Sequence, residues 1–251
     1  MRKKVRRPLF ATLSGDHVRG YPAQDSSYEV TGAMLLPVRE VVGLRPATET
    51  KERRIASEGH EVHLTFHDLR RYLDQVARAS NTRILEELFS PHVIFGGPEL
   101  EHLKKVAASF LTRLCFHDFR DRADVHRQRL RASGPAAVVD LLEAARLYLA
   151  GILALTSGTI ESNLEVLIDR YEAFWIRPFL ARQRTQGAAA VLSADEVRLV
   201  QYDLQDLEGQ LHSAHERSCL GDGVGSVSSL DEFLIDLRLR DADDGRSVVE
   251  D

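Results

Sequence analysis

The sequence predicts an α+β fold, in which a small sheet flanked by helices is followed by an all-helical C-terminal region. Two observations lead to this prediction. Up to residue 66, short runs rich in β-forming residues alternate with clusters of turn residues. From residue 67 onward, apolar residues recur with the spacing of amphipathic and buried helices.

The composition is that of an ordinary protein with a sizeable core. The chain has 251 residues, of which 43% are hydrophobic and 28% are charged. Its two cysteines, Cys115 and Cys219, are too few for a disulfide scaffold and fit a reducing cytoplasm. No apolar run approaches the roughly 20 residues that a membrane span needs. We therefore expect a cytoplasmic protein without membrane contact.

Three strands are predicted in the first part of the chain. Residues 7–13 and 28–36 are apolar and rich in β-formers, and the segment between them carries turn residues such as Gly20 and Pro22. Residues 61–66 alternate strictly between apolar and polar side chains, which predicts a half-buried strand. Residues 45–60 are polar and show no period, so they are interpreted as a loop or an edge hairpin.

Helices follow without interruption. Residues 67–80 carry the apolar stripe Leu69, Tyr72, Leu73 and Val76, and His67-Asp68 is interpreted as the cap of this helix. Further helices are predicted at 82–91, 98–111, 109–131 and 135–158, near 160–184, and at 193–217.

The chain is divided into three predicted parts. Residues 1–95 form the α+β domain, residues 96–220 a helical domain, and residues 221–251 a linker with an acidic C-terminal segment. The linker, GDGVGSVSS, has a flexible composition. Beyond it, the apolar stripe of residues 233–239, FLIDLRL, suits docking to a protein partner.

Residues 14–37, SGDHVRGYPAQDSSYEVTGAMLLP, have the layout that nucleotidyl transfer requires. That reaction uses two divalent ions about 3.5–4 Å apart, which carboxylates must hold. Two acids at positions i and i+2 of one strand point to the same face, and a third on the neighbouring strand completes the site. Here Ser27 and Glu29 occupy the first two positions and His63 the third. Gly15-Asp16 stands where a phosphate-binding Gly-Ser turn belongs.

This stretch resembles the signature of the DNA polymerase beta-like nucleotidyltransferases, in particular the RNA-repair-pathway family of predicted bacterial nucleotidyltransferases. That family typically shows Asp-Ser-Asp-Tyr-Asp where residues 25–29 read Asp-Ser-Ser-Tyr-Glu. The resemblance covers roughly residues 8–210 and implies a small mixed sheet of the nucleotidyltransferase type. It continues through EVHLTFHDLRRYL, ILEELFSP, SFLTR and LYLAGILALTSGTIESNL.

The departures from the family fall on its chemistry. The resemblance assigns the three catalytic acids to Ser27, Glu29 and His63, and of these only Glu29 is an acid. Serine is a weak neutral ligand, and imidazole is a poor partner for Mg²⁺. By the same resemblance, the nucleotide-binding residues of the turn are Ser14, Gly15, Asp16 and Gly20, and Asp16 replaces the family's serine.

Three hypotheses therefore stand. A degenerate member acts by binding a nucleotide, nucleic acid or protein partner. An active enzyme uses Mg²⁺ or Mn²⁺, or a softer ion, in an altered ligand set of Asp25, Glu29 and His63, and transfers a nucleotide from a triphosphate to an RNA end, a protein or a small molecule. A structural subunit pairs with an active paralogue. In the simpler interpretation of the site, Asp25 caps a turn and His63 is hydrogen-bonded to Glu29.

Two other features have a structural and a functional interpretation. Residues 113–131 carry six arginines, which are expected either to face phosphates or to form i, i+3 and i, i+4 pairs on a solvated helix face. His212, His215 and Cys219 have the spacing of a metal-binding helix edge, but such a group is more often incidental.

Overall fold

A computed structural model describes residues 7–44, 48–57, 59–78, 81–132, 134–223 and 225–247. It confirms the α+β class. Within these residues, five strands form one sheet in the order β3-β4-β2-β1-β5. The strands are β1 Arg7–Ser14, β2 Tyr28–Leu35, β3 Thr50–Ser57, β4 His60–Asp68 and β5 Val93–Phe95.

The sheet is mixed. β2 runs antiparallel to β1 and parallel to β4, while β3 and β5 pair antiparallel at the two edges. The three predicted strands are confirmed. For residues 45–60, the pairing of β3 with β4 confirms the edge hairpin rather than the loop. Residues 45–47 and 58 of that segment lie outside the described residues.

Helices surround and follow the sheet. They are α1 Asp16–Arg19, α2 Val38–Val41, α3 Leu69–Val76, α4 Thr82–Leu88, α5 Pro98–Ala107, α6 Cys115–Arg131, α7 Val138–Ser157, α8 Leu164–Tyr171, α9 Arg177–Gln186, α10 Ala194–Glu216 and α11 Val227–Ser247. A short two-stranded sheet joins β6 Ala136–Ala137 to β7 Val191–Leu192.

Several predicted helix limits were wrong for local reasons. α6 begins at Cys115 rather than at 109, since Ala108–Phe110 forms a 3₁₀ turn and Leu111 is extended. α7 begins at Val138 because the two residues before it pair with β7. The segment 160–184 contains two helices, because Glu172 adopts a left-handed conformation with φ 54°.

α7 lies at the centre of the helical part. It is buried along most of its length and packs against α6, α10, α8 and α9. The buried apolar side chains form one cluster that extends from Leu9 in β1 to Leu237 in α11. The proposed domain boundaries at 95 and 220 stay a prediction.

α11 packs against the chain's own α3 and α5. Its residues Leu230, Phe233 and Leu237 are buried, and Arg238 Nη2 lies 2.8 Å from Asp68 Oδ2 at the start of α3. Phe233 and Leu237, which belong to the apolar stripe that suggested docking to a partner, are therefore covered by this chain, while Ile235 and Leu239 are exposed. Within the described residues, none of the helices has the length and apolarity that crossing a bilayer requires.

Candidate active site at the Gly15 turn

The turn at Gly15 connects β1 to α1. Gly15 has φ 72° and ψ −159°, a conformation that is essentially restricted to glycine. Next to it, Ser14 pairs with Glu29 across β1 and β2. The Ser14 hydroxyl shares a hydrogen bond of 2.9 Å with the Thr31 hydroxyl, which fixes the end of β1 on β2.

The Glu29 carboxylate lies against this turn. A Cβ atom added to Gly15 would be 2.7 Å from Glu29 Cδ and 2.9 Å from Glu29 Oε2, closer than real Cβ contacts. Glycine is thus required at position 15 both for the backbone conformation and for the approach of Glu29. The carboxylate of Glu29 is therefore placed beside the Gly15 turn.

Asp16 follows directly and is partly buried. Ser26 Oγ donates a hydrogen bond of 3.3 Å to Asp16 Oδ2, and Arg19 Nη1 lies 3.8 Å from Asp16 Oδ1. Burial raises the pKa of Asp16; Arg19 opposes this, and the nearby Glu143 and Glu29 carboxylates raise it further. Asp16 and Glu29 thus act on each other as like charges.

Glu29 and His63 are register partners on the parallel strands β2 and β4. They line the same cleft, as the sequence predicted for neighbouring catalytic positions. His63 Nε2, however, lies 2.9 Å from Oε1 of Glu61, two residues earlier on its own strand. Within the described residues, His63 makes this contact and no hydrogen bond with Glu29. Ser27 is half-buried just before β2.

Gly20 and Asp25 face the C-terminal helices. A Cβ on Gly20 would lie 2.6 Å from Asn163 Oδ1, and the Gly20 carbonyl accepts a hydrogen bond from Arg184. Asp25 is exposed near Gly187. In the described part of the chain, no three His, Cys, Asp or Glu side chains converge into a group that could hold a metal ion. The set Asp25, Glu29 and His63 therefore does not form such a group, and metal binding by it stays a prediction.

A cleft of about 410 Å³ opens over β2, β4 and β3 and is bordered by α3 and α4. Its volume lies within the range of about 300–1,000 Å³ that is usual for small-molecule sites. The lining is polar. It consists of Glu29, Val30, Thr31, Glu52, His63, Thr65, His67, Gln75, Asn81, Arg83, Ile84 and Glu87.

The family model of the RNA repair pathway DNA polymerase beta family matches residues 2–236, nearly the whole chain. The chain belongs to this family. No curated protein matches it. The resemblance seen in the sequence is thus confirmed, and the fold described above is that of a polymerase beta-like nucleotidyltransferase-type protein.

In this member of the RNA repair pathway family, the Gly15 turn is tied to the helical part by buried ion pairs that sequence reasoning missed. Arg19 Nη1 lies 2.7 Å from Glu143 Oε1. Glu143 Oε2 accepts a hydrogen bond of 3.0 Å from Arg146 Nε, and Arg146 Nη1 donates one of 2.7 Å to Glu86 Oε1. Arg122 Nη2 donates to the other oxygen of Glu86 at 3.0 Å. These five residues are called the charge network below.

The charge network keeps its groups ionised although they are buried. Burial alone would raise the pKa of Glu143, but Arg146 and Arg19 outweigh it and lower the pKa to about 2. Burial would also raise the pKa of Glu86, but Arg146 and Arg122 outweigh it and lower this pKa. A sequence signal was available, since Glu143 and Arg146 stand three residues apart inside an otherwise apolar helix.

The arginines of residues 113–131 do not form a free cationic face in the family member described here. Each has an acidic or amide partner, but only Arg122–Asp118 is one of the i, i+4 pairs along the helix that the ion-pair interpretation predicted. The partners are Asp222 for Arg113, Asp121 for Arg120, Glu86 and Asp118 for Arg122, Glu208 for Arg127, Asp140 for Arg129 and Gln201 for Arg131.

The histidines of α10 pack on an aromatic ring. His215 stacks on Phe116 with ring centroids 4.3 Å apart, and His212 meets the edge of the same ring at 4.9 Å. Cys219 is exposed beyond the end of the helix. Both imidazole rings therefore pack against the Phe116 ring.

Proposed function

We propose that this family member has lost two-metal nucleotidyl transfer and acts in the cytoplasm by binding a nucleotide or an RNA end in the cleft that Glu29 lines. One observation carries the proposal. Of the three positions that match the family's acids, only Glu29 is a carboxylate, and it lies on the Gly15 turn beside a second acid, Asp16.

The donor set does not fit two magnesium ions. Mg²⁺ requires hard oxygen ligands in octahedral geometry, and a pair of ions needs several carboxylates to balance its charge. Ser27 supplies a neutral hydroxyl, and the His63 imidazole is a poor ligand for Mg²⁺ and already contacts Glu61. Asp16 is held by Ser26 and Arg19. We therefore derive no transfer step through a pair of metals.

A second candidate function rests on the register of β2 and β4. Glu29 and His63 are side by side and line the same cleft. One carboxylate and one imidazole suit a single softer ion such as Mn²⁺ or Zn²⁺. In this alternative the chain is an active nucleotidyltransferase with an altered ligand set.

A transfer assay separates the two candidates. Purified protein is incubated with labelled nucleoside triphosphates, Mg²⁺ or Mn²⁺, and RNA or protein acceptors. We expect no transfer. Transfer that disappears in Glu29→Ala but persists in Glu101→Ala, an exposed glutamate of α5, would establish the active alternative and overturn the proposal.

Restoring the family's acids provides a converse test. The triple variant Ser27→Asp, Glu29→Asp, His63→Asp places three carboxylates at the start of β2 and in β4, so we expect it to gain Mg²⁺ or Mn²⁺ binding in calorimetry. The wild-type chain is the control. A triple variant that folds but binds neither ion would show that these three positions are not the family's metal-binding positions.

A further inference from the structure

The floor of the cleft presents neutral hydrogen-bonding groups. Thr31 and Thr65 are register partners on β2 and β4, and Thr65 also pairs with Glu52 on β3. Because alternate residues of a strand share a face, these side chains lie on the same side of the sheet as Glu29 and His63. The uncharged side chains with hydroxyl or amide groups that line the cleft are Thr31, Thr65, Gln75 and Asn81, and two imidazoles, those of His63 and His67, line it as well.

Several of these groups have hydrogen-bonding capacity left over. His67 Nδ1 and the Thr50 hydroxyl are 2.9 Å apart, which leaves His67 Nε2 for a ligand. Burial, together with Arg71 and against Glu52, lowers the pKa of His67, which favours the neutral ring. Gln75 uses its Nε2 on the Arg71 carbonyl and keeps its amide oxygen. Within the described residues, the Thr65 hydroxyl has no hydrogen-bond partner.

The charged groups of the cleft are mostly acidic. Three carboxylates line it, from Glu29, Glu52 and Glu87. Arg83 is the guanidinium in the lining, and its Nε lies 3.2 Å from Glu87 Oε1, so its charge is balanced. Asp16, beside Glu29, adds a further negative group at the turn. Like charges that lie close together repel, and they repel more strongly near a protein surface than in bulk water.

We infer that this cleft takes the uncharged part of a nucleotide, its base and ribose, and that phosphate groups weaken binding when no divalent cation is present. A base and a ribose together carry several neutral donors and acceptors, which match the hydroxyl, amide and imidazole groups of the floor. The inference rests on the proposed function, because it names the part of the ligand that the same cleft recognises.

The first experiment compares nucleosides with their triphosphates. Binding of adenosine, guanosine, cytidine and uridine, and of the four triphosphates, is measured by calorimetry in EDTA. We expect at least one nucleoside to bind about tenfold or more tightly than its triphosphate, which corresponds to about 1.4 kcal/mol. A triphosphate that binds more tightly than its nucleoside in EDTA overturns this inference and leaves the proposed function in place.

Failure of the proposed function has a different outcome. If neither nucleosides nor triphosphates bind, with or without Mg²⁺, both the inference and the nucleotide-binding function are wrong. If the protein transfers nucleotides in the assay described above, the loss of transfer is wrong, while the preference in EDTA still tests how the cleft recognises its ligand.

Two variants, one that removes a charge and one that removes a hydroxyl, test the contribution of individual residues. Glu29→Gln should strengthen triphosphate binding in EDTA about tenfold and so narrow the difference in affinity between nucleoside and triphosphate, because it removes repulsion without changing shape. Thr65→Val should weaken nucleoside binding about three- to tenfold through one lost hydrogen bond. The matched controls are Glu101→Gln in α5 and Thr185→Val in α9, both exposed. Equal effects in variant and control, or no effect of either cleft variant, contradict the inference.

Discussion

Two sets of charged side chains meet at the Gly15 turn, and they are arranged in opposite ways. In the charge network, opposite charges alternate from Arg19 to Arg122 and every carboxylate contacts an arginine. In the cleft, Glu29 and Asp16 are like charges close to each other, and Asp16 has a raised pKa. Arg19 belongs to both sets, since it contacts Glu143 and lies near Asp16.

The difference indicates what each set is for. Hydrogen-bonded ion pairs that are buried or partly buried hold elements in one arrangement, here the turn, α4, α6 and α7. Like charges that remain together in an open cleft reduce stability, and such arrangements are typical of binding and catalytic sites. If this contrast is correct, removing a charge from the network should lower the free energy of unfolding strongly, and removing one from the cleft should not.

The largest effect is expected for Arg146→Met. Arg146 is fully buried, and its loss leaves the Glu143 and Glu86 carboxylates with fewer partners in the core. We expect the free energy of unfolding to fall by about 3–5 kcal/mol in urea denaturation. The control is Arg198→Met, which breaks the exposed pair with Asp195 and should change stability by less than about 1 kcal/mol. A loss in Arg146→Met no greater than in this control would show that the network does not hold the fold.

The next effect is acid sensitivity. The folded pKa of Glu143 is depressed from 4.5 to about 2, so its contribution to stability is complete above pH 4.5. This contribution is lost as pH falls from about 4.5 towards about 2, because the unfolded chain then binds the proton more readily. Unfolding free energies measured across this window should fall less steeply in Glu143→Gln than in the wild type.

The partly exposed Glu196 provides the comparison for that titration. Its pKa is also lowered to about 2, by hydrogen bonds from Arg182 and the Ser193 backbone. Solvent screens this pair, so Glu196→Gln should flatten the acid dependence less than Glu143→Gln does. The reverse order would show that burial of the network does not determine its strength.

A smaller effect is expected for Gly15→Ala. The positive φ and the contact with Glu29 both oppose a Cβ, so we expect a loss of about 1–3 kcal/mol. In Gly15→Ala/Glu29→Ala the steric part should disappear and the backbone part remain. Losses that simply add in this double-mutant cycle would mean that Glu29 does not pack on the turn.

The smallest effect is expected for Glu29→Gln. The substitution removes a like charge near Asp16 and breaks no ion pair within the described residues, so unfolding free energy should stay within about 0.5 kcal/mol of wild type or rise. The pKa of Asp16, followed by NMR, should fall because Glu29 contributes to its increase. A large destabilisation would place Glu29 with the structural charges and remove the contrast between the two sets.

Much of the local structure was predictable because it depends on neighbouring residues. The alternation of residues 61–66 predicted β4, and the buried stripe Leu69, Tyr72, Leu73 and Val76 predicted α3. The Asp68 side chain accepts a hydrogen bond from the Arg70 backbone, as the predicted cap requires. Helix limits were less certain, because Cys115 and Val138 begin their helices where 3₁₀ and strand contacts end.

The candidate site was predictable only in part. The spacing of residues placed Glu29 and His63 side by side, and the register of β2 and β4 confirms this. The sequence did not reveal that His63 contacts Glu61 or that the Gly20 carbonyl accepts a hydrogen bond from Arg184. Nor did it reveal that α11 packs against α3 and α5 of the same chain. Such contacts depend on side-chain direction and on segments far apart in sequence.

The sequence by itself determined the fold class, because periodicity is a local property, and it indicated the family through the resemblance of residues 14–37. The replacement of the family's acids at Ser27, Glu29 and His63 stays a prediction of that resemblance. Only the tertiary structure decided which charges are paired. Arg19 meets Glu143, and Arg122 meets Glu86, only after the sheet and the helices have packed. Burial then makes the pairing of these charges essential, whereas Glu29 remains in an open cleft where an uncompensated charge is tolerated.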